Sequence, residues 1–404
     1  MGIPIFSQKD NRWREFYNPL RGLSLPKVLS MLEAGERGQF ADLEWFYYYM
    51  ERSDPMIFSI IQRRRAALMD SDWDIRVVSG ARMRGARARG FDPALAEEQA
   101  ACLSEVYDGI ENFRDSLAFL FSGFFRGHAH VEKHFGENGE ILRLEPVEQW
   151  FWVRDGMYGA WEYNENAVSG RFRGIPIERE NFVIFESVAL NRMLVGLYLA
   201  RSLNLKDWVS YLDVFGIPSA FLIGPPNASD AKEKEYQAIA ESLVSDGRGY
   251  LPNGSDIKYV TGGGGKPPFR DHIEYIDRLI TMVGTGGLLT MLTESGSGTL
   301  AGSAHRDTFL QIARGDAVAL SEVYQREIDL PMLAQAFPGY PALAYFEFAP
   351  SISDQASRVV QDAAQLASAG FAVDPAEISE KSGYRVAPMA AVAPAAPVGS
   401  GGGA

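Results

Sequence analysis

The sequence predicts an α+β protein whose two halves are built differently. In the first half, short strand-like runs follow one another in series, with helical stretches flanking them. In the second, three long segments place apolar residues at steps of three and four, and a compact turn-rich segment separates the first two. A chain of 404 residues that is 46% hydrophobic has room for two or three domains with buried cores.

Residues 1–55 read as an N-terminal arm and then helix. In "NPLRGLSLPKVLSMLE", Ser24 stands ahead of Pro26 as an N-cap with proline in the first turn. Leu25, Val28, Leu29 and Leu32 then keep helical spacing. Residues 56–188 form a mixed segment. A helix starting near Asp54–Pro55 leads into a strand at Trp73–Val78, where Trp73, Ile75 and Val77 alternate with charged residues. Arg63–Arg65 lie on that helix and point in different directions, so they are expected at solvent or in salt bridges. The stretch 79–90 reads as a surface loop. Its Arg82, Arg84, Arg87 and Arg89 lack the interleaved aromatics on which a single strand of nucleic acid would stack. Residues 94–125 are helical, and a strand meander follows with a turn at Asn138–Gly139. It continues through "MYGAWEY", "RFRGI" and "FVIFES".

Residues 189–216 hold a long helix in which Tyr198, Arg201, Leu205, Trp208, Leu212 and Phe215 trace one seam. Residues 217–262 follow as a compact α/β insertion. It has a strand in "GIPSAFLIGPP", a helix begun by the Asp230/Glu233 capping box, and short strands around Asn253–Gly254. Gly262–Gly265 is a hinge into a second long helix within 263–292, with Ile273, Ile276, Ile280 and Val283 on one side. Residues 293–304, "TESGSGTLAGSA", form a small-residue loop. Residues 305–350 begin as a third helix bearing Phe309, Ile312, Leu320 and Val323. A short region, 351–385, precedes a low-complexity stretch, 386–404, that is expected to be disordered.

Most catalytic chemistry finds no foothold in these residues. The glycine loop lacks a phosphate-cradling pattern: Ala301, not glycine, follows Gly296 at the required step, and no lysine lies between Thr293 and His305. The segment before it has helical rather than strand spacing, which a dinucleotide fold does not use. His128, His130 and His134 share a strand face with Glu132, yet no second cluster supplies further ligands, so a polar, solvent-facing strand is expected and no metal. There is no Gly-x-Ser-x-Gly elbow, and Cys102, the one cysteine, sits mid-helix. That single cysteine excludes an internal disulfide framework and fits a reducing compartment. The N-terminus has neither a secretory pattern nor a myristoylation signal, and no apolar run is long enough to span a membrane. A net charge of −13 disfavours a strong static grip on DNA phosphates. No cofactor is expected.

Four stretches together resemble one family, the portal proteins of tailed bacteriophages, and within it the Mu-like branch. They are "NPLRGLSLPKVLSML", "DPMIFSIIQRRRAALMDSDWDI", "SGFFRGHAHVEKHF" and the run from "HIEYIDRLITMVGTGG" through "TESGSGTLAGSAHRDTFLQIARGDAVALSEVYQREIDLPML". The last is the most specific, because helix, glycine loop and helix occur in the family's order. The resemblance spans roughly residues 15–350 as a series of motifs. It implies a portal fold: wing 56–188, stem helix 189–216, clip 217–262, second stem helix 263–292, tunnel loop 293–304, tunnel helix and return to the wing 305–350, and a reduced crown 351–385.

It further implies a non-enzymatic ring, a dodecamer, at one capsid vertex in the virion, assembled in the bacterial host cytoplasm. Double-stranded DNA would pass through the channel during packaging and ejection. The terminase large subunit, head–tail adaptor proteins, and the major capsid and scaffolding proteins would be its partners. The loop residues pointed at DNA would be Glu294, Ser295, Gly296, Ser297, Gly298, Thr299, Leu300, Ala301, Gly302 and Ser303. Lys206, Lys258, Lys266, Arg270, His305 and Arg306 are the channel-facing positive candidates. Leu205, Trp208, Leu212, Ile273, Ile276 and Ile280 are the expected subunit contacts of the stem. Two other readings stay open on the sequence: another head–tail connector or minor head protein, and a nucleotide-binding enzyme using the glycine loop.

Overall fold

The structure, a computed structural model, describes residues 21–78, 92–215, 220–223, 229–242, 248–251, 268–287, 299–349 and 352–382. Helix α1 (Leu25–Glu36) starts where its sequence places it: the Ser24 hydroxyl accepts from the Lys27 amide at 3.4 Å, and Pro26 sits in the first turn. Helix α2 (Ala41–Ser53) buries Trp45, Phe46, Tyr47 and Met50. Helix α3 (Pro55–Met69) is capped by Asp54, whose Oδ1 accepts from the amides of Met56 at 2.9 Å and Ile57 at 3.1 Å. Strand β1 (Asp72–Val77) is followed by α4 (Pro93–Asp108), α5 (Phe113–Phe121) and α6 (Gly123–Arg126). The expected turn at Asn138–Gly139 joins β2 (His128–Phe135) to β3 (Ile141–Val147). Three two-residue strands, β4 (Trp152–Val153), β5 (Glu162–Tyr163) and β6 (Ile175–Pro176), form a small sheet, and β7 (Phe182–Glu186) then returns to pair with β2.

The second half opens with the long helix α7 (Leu190–Phe215). A βαβ insertion follows: β8 (Ala220–Ile223), α8 (Asp230–Ser242) and β9 (Arg248–Leu251), with the two strands parallel. Next come α9 (Phe269–Thr285), α10 (Thr299–Tyr324), a π-turn at Gln325–Asp329, α11 (Leu330–Ala336), β10 (Ala344–Ala349), α12 (Ile352–Ser368) and α13 (Pro375–Ser382). The tail 386–404, expected to be disordered, and the arginine-rich loop 79–90 lie outside the described residues.

Two compact units emerge, and neither follows sequence order. One joins Met1–Ala66 to Asp108–Asp316, the other Ala67–Tyr107 to Ala317–Ala404. In the first, the sheet order β3-β2-β7 makes β2 a central strand. The aromatic cluster of Phe40, Trp45, Trp150, Trp152, Trp161 and Tyr163 packs beside it. This corrects the expectation of a solvent-facing strand. His128 and His130 are buried, with the His130 ring stacked on Trp152 at 3.9 Å and the His128 ring 4.6 Å from Trp161. Alternation along β2 does place His128, His130 and Glu132 on one face, but that face is covered.

Gly38 joins α1 to the small sheet, next to β4. Its carbonyl accepts from the Arg154 amide at 3.0 Å, and its φ of +87° lies in the left-handed region. A methyl group there would collide with the backbone carbonyl of Arg154. Gly38→Ala is therefore expected to cost about 2 kcal/mol from backbone strain alone, measurable as a lowered urea midpoint. An unchanged midpoint would contradict this geometry.

In the second unit β1 pairs antiparallel with β10, placing Trp73 opposite Phe348 and Ile75 opposite Phe346. Side chains satisfy several of the backbone groups at and just before β10. Asp329, from the π-turn, accepts from the Phe346 amide at 2.7 Å and from the Tyr107 hydroxyl at 2.6 Å. Gln325 donates to the Phe346 carbonyl, Ser321 accepts from the Phe348 amide, and Gln99 accepts from the Leu343 amide. Burial lifts the Asp329 carboxyl to about 6, against the Tyr107 and Phe346 hydrogen bonds that favour its charge.

Candidate functional site

The element that stands out from its own unit is the antiparallel pair α7 and α9. α7 is anchored at its start. Asn191 donates to Glu51 Oε1 at 2.7 Å, Glu51 Oε2 accepts from Arg126 at 2.7 Å, and Arg192 pairs with Glu36. Further along, no side chain from 202 to 213 is buried. At the join sits Arg201. Its Nε donates to Asp277 Oδ1 on α9 at 2.7 Å, and its Nη1 to Asp54 Oδ2, at the start of α3, at 3.2 Å. Asn204 meets His272 at 3.0 Å and the Tyr211 ring lies 5.7 Å from Phe269, so the two helices run side by side in opposite directions.

α9 buries one face and exposes the other. Ile273, Ile276, Ile280 and Gly284 are covered; Asp271, Tyr275, Arg278 and Met282 are not. Its far end is fitted closely to its surroundings. A methyl at Gly284 would strike Ile60, and Gly286 ends the helix at φ +68° with Ile312 Cδ1 2.6 Å from where a Cβ would stand. Only glycine offers both the left-handed turn and the clearance. α10 is tied to α3 by Arg64, whose Nη2 donates to Asp316 Oδ1 at 2.6 Å and Oδ2 at 2.8 Å while its Nε donates to Oδ2 at 3.0 Å. Burial raises the Asp316 carboxyl and the Arg64 guanidinium opposes that rise. Arg64 thus takes the salt-bridged alternative of the two expected for this arginine run, in a buried position, and Arg63 lies over the Phe309 ring at 5.0 Å.

A long anchored helix, a βαβ insertion, a returning helix and a further long helix follow one another along the chain. The family model described as "Portal protein of Mu bacteriophage" matches residues 45–384. The chain belongs to that portal family. Among relatives, the Mu-like prophage FluMu protein gp29 of Haemophilus influenzae is 22% identical over 378 residues, covering 88% of this chain and 69% of the relative. The portal protein of Escherichia phage Mu is 22% identical over 335 residues; the match covers 78% of this chain and 62% of that protein's length. Among solved structures, a chain in the neck of a native GTA particle computed with C12 symmetry superposes with a TM-score of 0.52 at 13% identity, over 88% of this chain and 98% of that one. A chain from the virion of a native gene transfer agent particle gives 0.51 at 12% identity, over 93% and 98%. The fold is a phage portal fold of mixed helix and sheet.

In this portal chain the residues expected at the site separate into groups. Glu294, Ser295, Gly296, Ser297 and Gly298 lie outside the described residues, as do Lys258 and Lys266. Thr299, Leu300, Ala301, Gly302 and Ser303, expected in the loop, are instead the first turns of α10, and His305 and Arg306 follow in the same helix. Good helix formers such as Leu300, Ala301 and Ala304 outweigh the single Gly302. Lys206 and Arg270 are exposed, Arg270 pairing with Glu274 at 2.7 Å. Of the stem contacts, Ile273, Ile276 and Ile280 are buried within the single chain, so they are core residues and not a face for a neighbour. Leu205 and Trp208 are half-buried, and Leu212 is exposed. Asp316 and Asp277 were not singled out from sequence, and Arg64 and Asp54 were read only as part of an arginine run and as a helix start, because a charge on a helix does not announce its partner. Among the described residues no group of three or more His, Cys, Asp or Glu side chains is arranged to hold a metal ion. Nor is any helix among them long and apolar enough to cross a membrane.

Proposed function

We propose that this chain is one subunit of a closed ring, of twelve copies, that forms a channel for double-stranded DNA at one vertex of a phage capsid. The observation that carries the reading is the stem. Two long antiparallel helices are joined at Arg201, and beyond it no α7 side chain from 202 to 213 is more than half-buried. Side chains left half-exposed along more than three helical turns are what a repeated neighbour would bury. The βαβ insertion supports the same reading. Two parallel strands make a minimal sheet, and strands from adjacent copies would extend it. In this reading 217–262 is the clip that meets the terminase large subunit and later the head–tail adaptors. The wing meets the major capsid and scaffolding proteins, and 293–304 faces DNA. The role is structural, and assembly takes place in the bacterial host before the ring enters the virion.

Electron micrographs of the purified chain test this directly: rings with a central opening wide enough for a duplex are the expected result. A monomer under all assembly conditions would favour a minor head or adaptor role. Deleting Gly296–Gly302 is expected to leave rings intact and to reduce DNA retained per particle. If the deletion abolishes rings, the segment is an assembly element and not a DNA-facing one.

A further inference from the structure

We infer that adjacent copies meet by pairing the outward face of α7 on one subunit with the outward face of α9 on the next, residue by residue at equal height along the stem. The inference rests on the ring reading above and supplies its contact surface. On α7, Gly196, Leu199, Leu203, Lys206 and Ser210 recur at steps of three and four, which is one helix face. It is the face turned away from the chain: Leu203 is 59% exposed and Leu199 half-buried. On α9, Asp271, Tyr275, Arg278 and Met282 form the matching stripe opposite Ile273, Ile276 and Ile280, with Tyr275 58% and Met282 46% exposed. Among the described residues Lys206, Asp271 and Arg278 form no ion pair.

The register comes from the contacts inside one subunit. Arg201 bonds Asp277, Asn204 meets His272 and Tyr211 lies beside Phe269, which sets the height of every α7 residue against α9. Leu203 is thereby level with Tyr275, Lys206 with Asp271, and Gly196 with Met282. Neighbours in a closed ring are related by rotation with no rise along the axis. With the stem along that axis, residues of equal height on facing helices meet. The pairing is then apolar on apolar and cation on anion, with one further match. A Cβ added at Gly196 would meet, apart from its own helix backbone, no atom of the described residues within 4 Å, so the glycine leaves a notch in an exposed helix face. A mid-helix glycine costs about 1 kcal/mol relative to alanine, and Met282 of the neighbour, long and adaptable, is shaped to fill such a notch.

Disulfide trapping tests the pairing. In a Cys102→Ser background, Leu203→Cys and Tyr275→Cys in one chain are expected to yield, on mild oxidation, a ladder of covalent oligomers ending at the ring size. The cysteines face away from each other within a subunit, so linkage must run between copies. Gly196→Trp is expected to block ring formation with the melting of the subunit unchanged. Lys206→Glu is expected to raise the concentration needed for half-assembly about tenfold, and adding Asp271→Lys to restore it. Rings in micrographs that give no ladder, or rings that still form in the Gly196→Trp variant, would overturn the face pairing and leave the ring reading standing. Absence of rings in the unaltered protein would remove the ring reading itself, and this inference with it.

Discussion

Asp316→Ala is expected to lower the stability of its unit by about 3–5 kcal/mol, because it strands a buried guanidinium. Arg64 and Asp316 share three hydrogen bonds of 2.6–3.0 Å, and both side chains are only 7% exposed. The Phe124 and Phe125 rings lie beside the guanidinium at 5.9 Å and 5.5 Å, so little water is at hand to replace the lost carboxylate. Arg64→Ala should cost a similar amount, leaving Asp316 uncompensated. The double change Arg64→Met with Asp316→Leu should recover most of the loss, since a well-packed apolar pair can stand in for a buried ion pair. Urea unfolding followed by tryptophan fluorescence measures all three. Equal destabilisation by the single and the double variants would mean that packing, and not charge, dominates the joint between α3 and α10.

The second large effect is a dependence of stability on pH, written into the buried groups behind the aromatic cluster. Among the described residues, neither ring nitrogen of His128 or His130 has a hydrogen-bond partner, nor does either carboxylate oxygen of Glu44. Glu44 Oε1 lies 3.8 Å from His128 Nε2, too far to bond. Burial, with the nearby Arg154 and Arg126, drives the His128 imidazole down to about 3. Burial, with His128, Arg179 and Arg154, holds His130 well below its ordinary value. In the unfolded chain both take up a proton near pH 6.5. Between that value and their folded values the unfolded state binds more protons, so stability falls as pH falls, by about 1.4 kcal/mol per pH unit for each histidine. Glu44 acts in the opposite direction. Burial, reinforced by Glu51 and Glu148 and opposed by Arg126, lifts its carboxyl, so the folded state keeps a proton that the unfolded chain releases as pH rises past about 4.5. His128→Phe with His130→Phe should therefore flatten the loss of stability as pH falls below about 6.5, and Glu44→Gln the loss that begins as pH rises past about 4.5. Curves of wild type and variants that run parallel would show that these groups do not titrate on unfolding.

How much of this was legible in the sequence depended on whether the signal was local. Ser24 before Pro26 marked the start of α1, and Asn138–Gly139 marked the β2–β3 turn, because caps and turns are written in adjacent residues. Apolar steps of three and four found α7, α9 and α10 as helices. The same steps could not say what covers each face. Ile273, Ile276 and Ile280 form a seam whether the partner is another copy or, as here, the chain itself. The period of two along β2 put His128, His130 and Glu132 on one side correctly, yet burial came from Trp152 and Trp161 further along the chain. The remotest pairings left no trace in either partner. Arg64 lies 252 positions from Asp316, and β1 zips onto β10 from the other end of the sequence. The stem pairing could be drawn only once the heights of α7 and α9 were known.

Arg201 has one more consequence, which is mechanical. Asp54 spends one carboxylate oxygen capping α3 and the other on Arg201, which also holds Asp277. From that point α7 continues for 14 residues to Phe215, an overhang of about 21 Å at 1.5 Å per residue. The hairpin is a cantilever with its clamp at Arg201, and a sideways load on its tip produces the greatest bending moment at the clamp. A load on the far end would deliver its torque there, to a three-way ionic joint that can break and remake, rather than spread it along the helices.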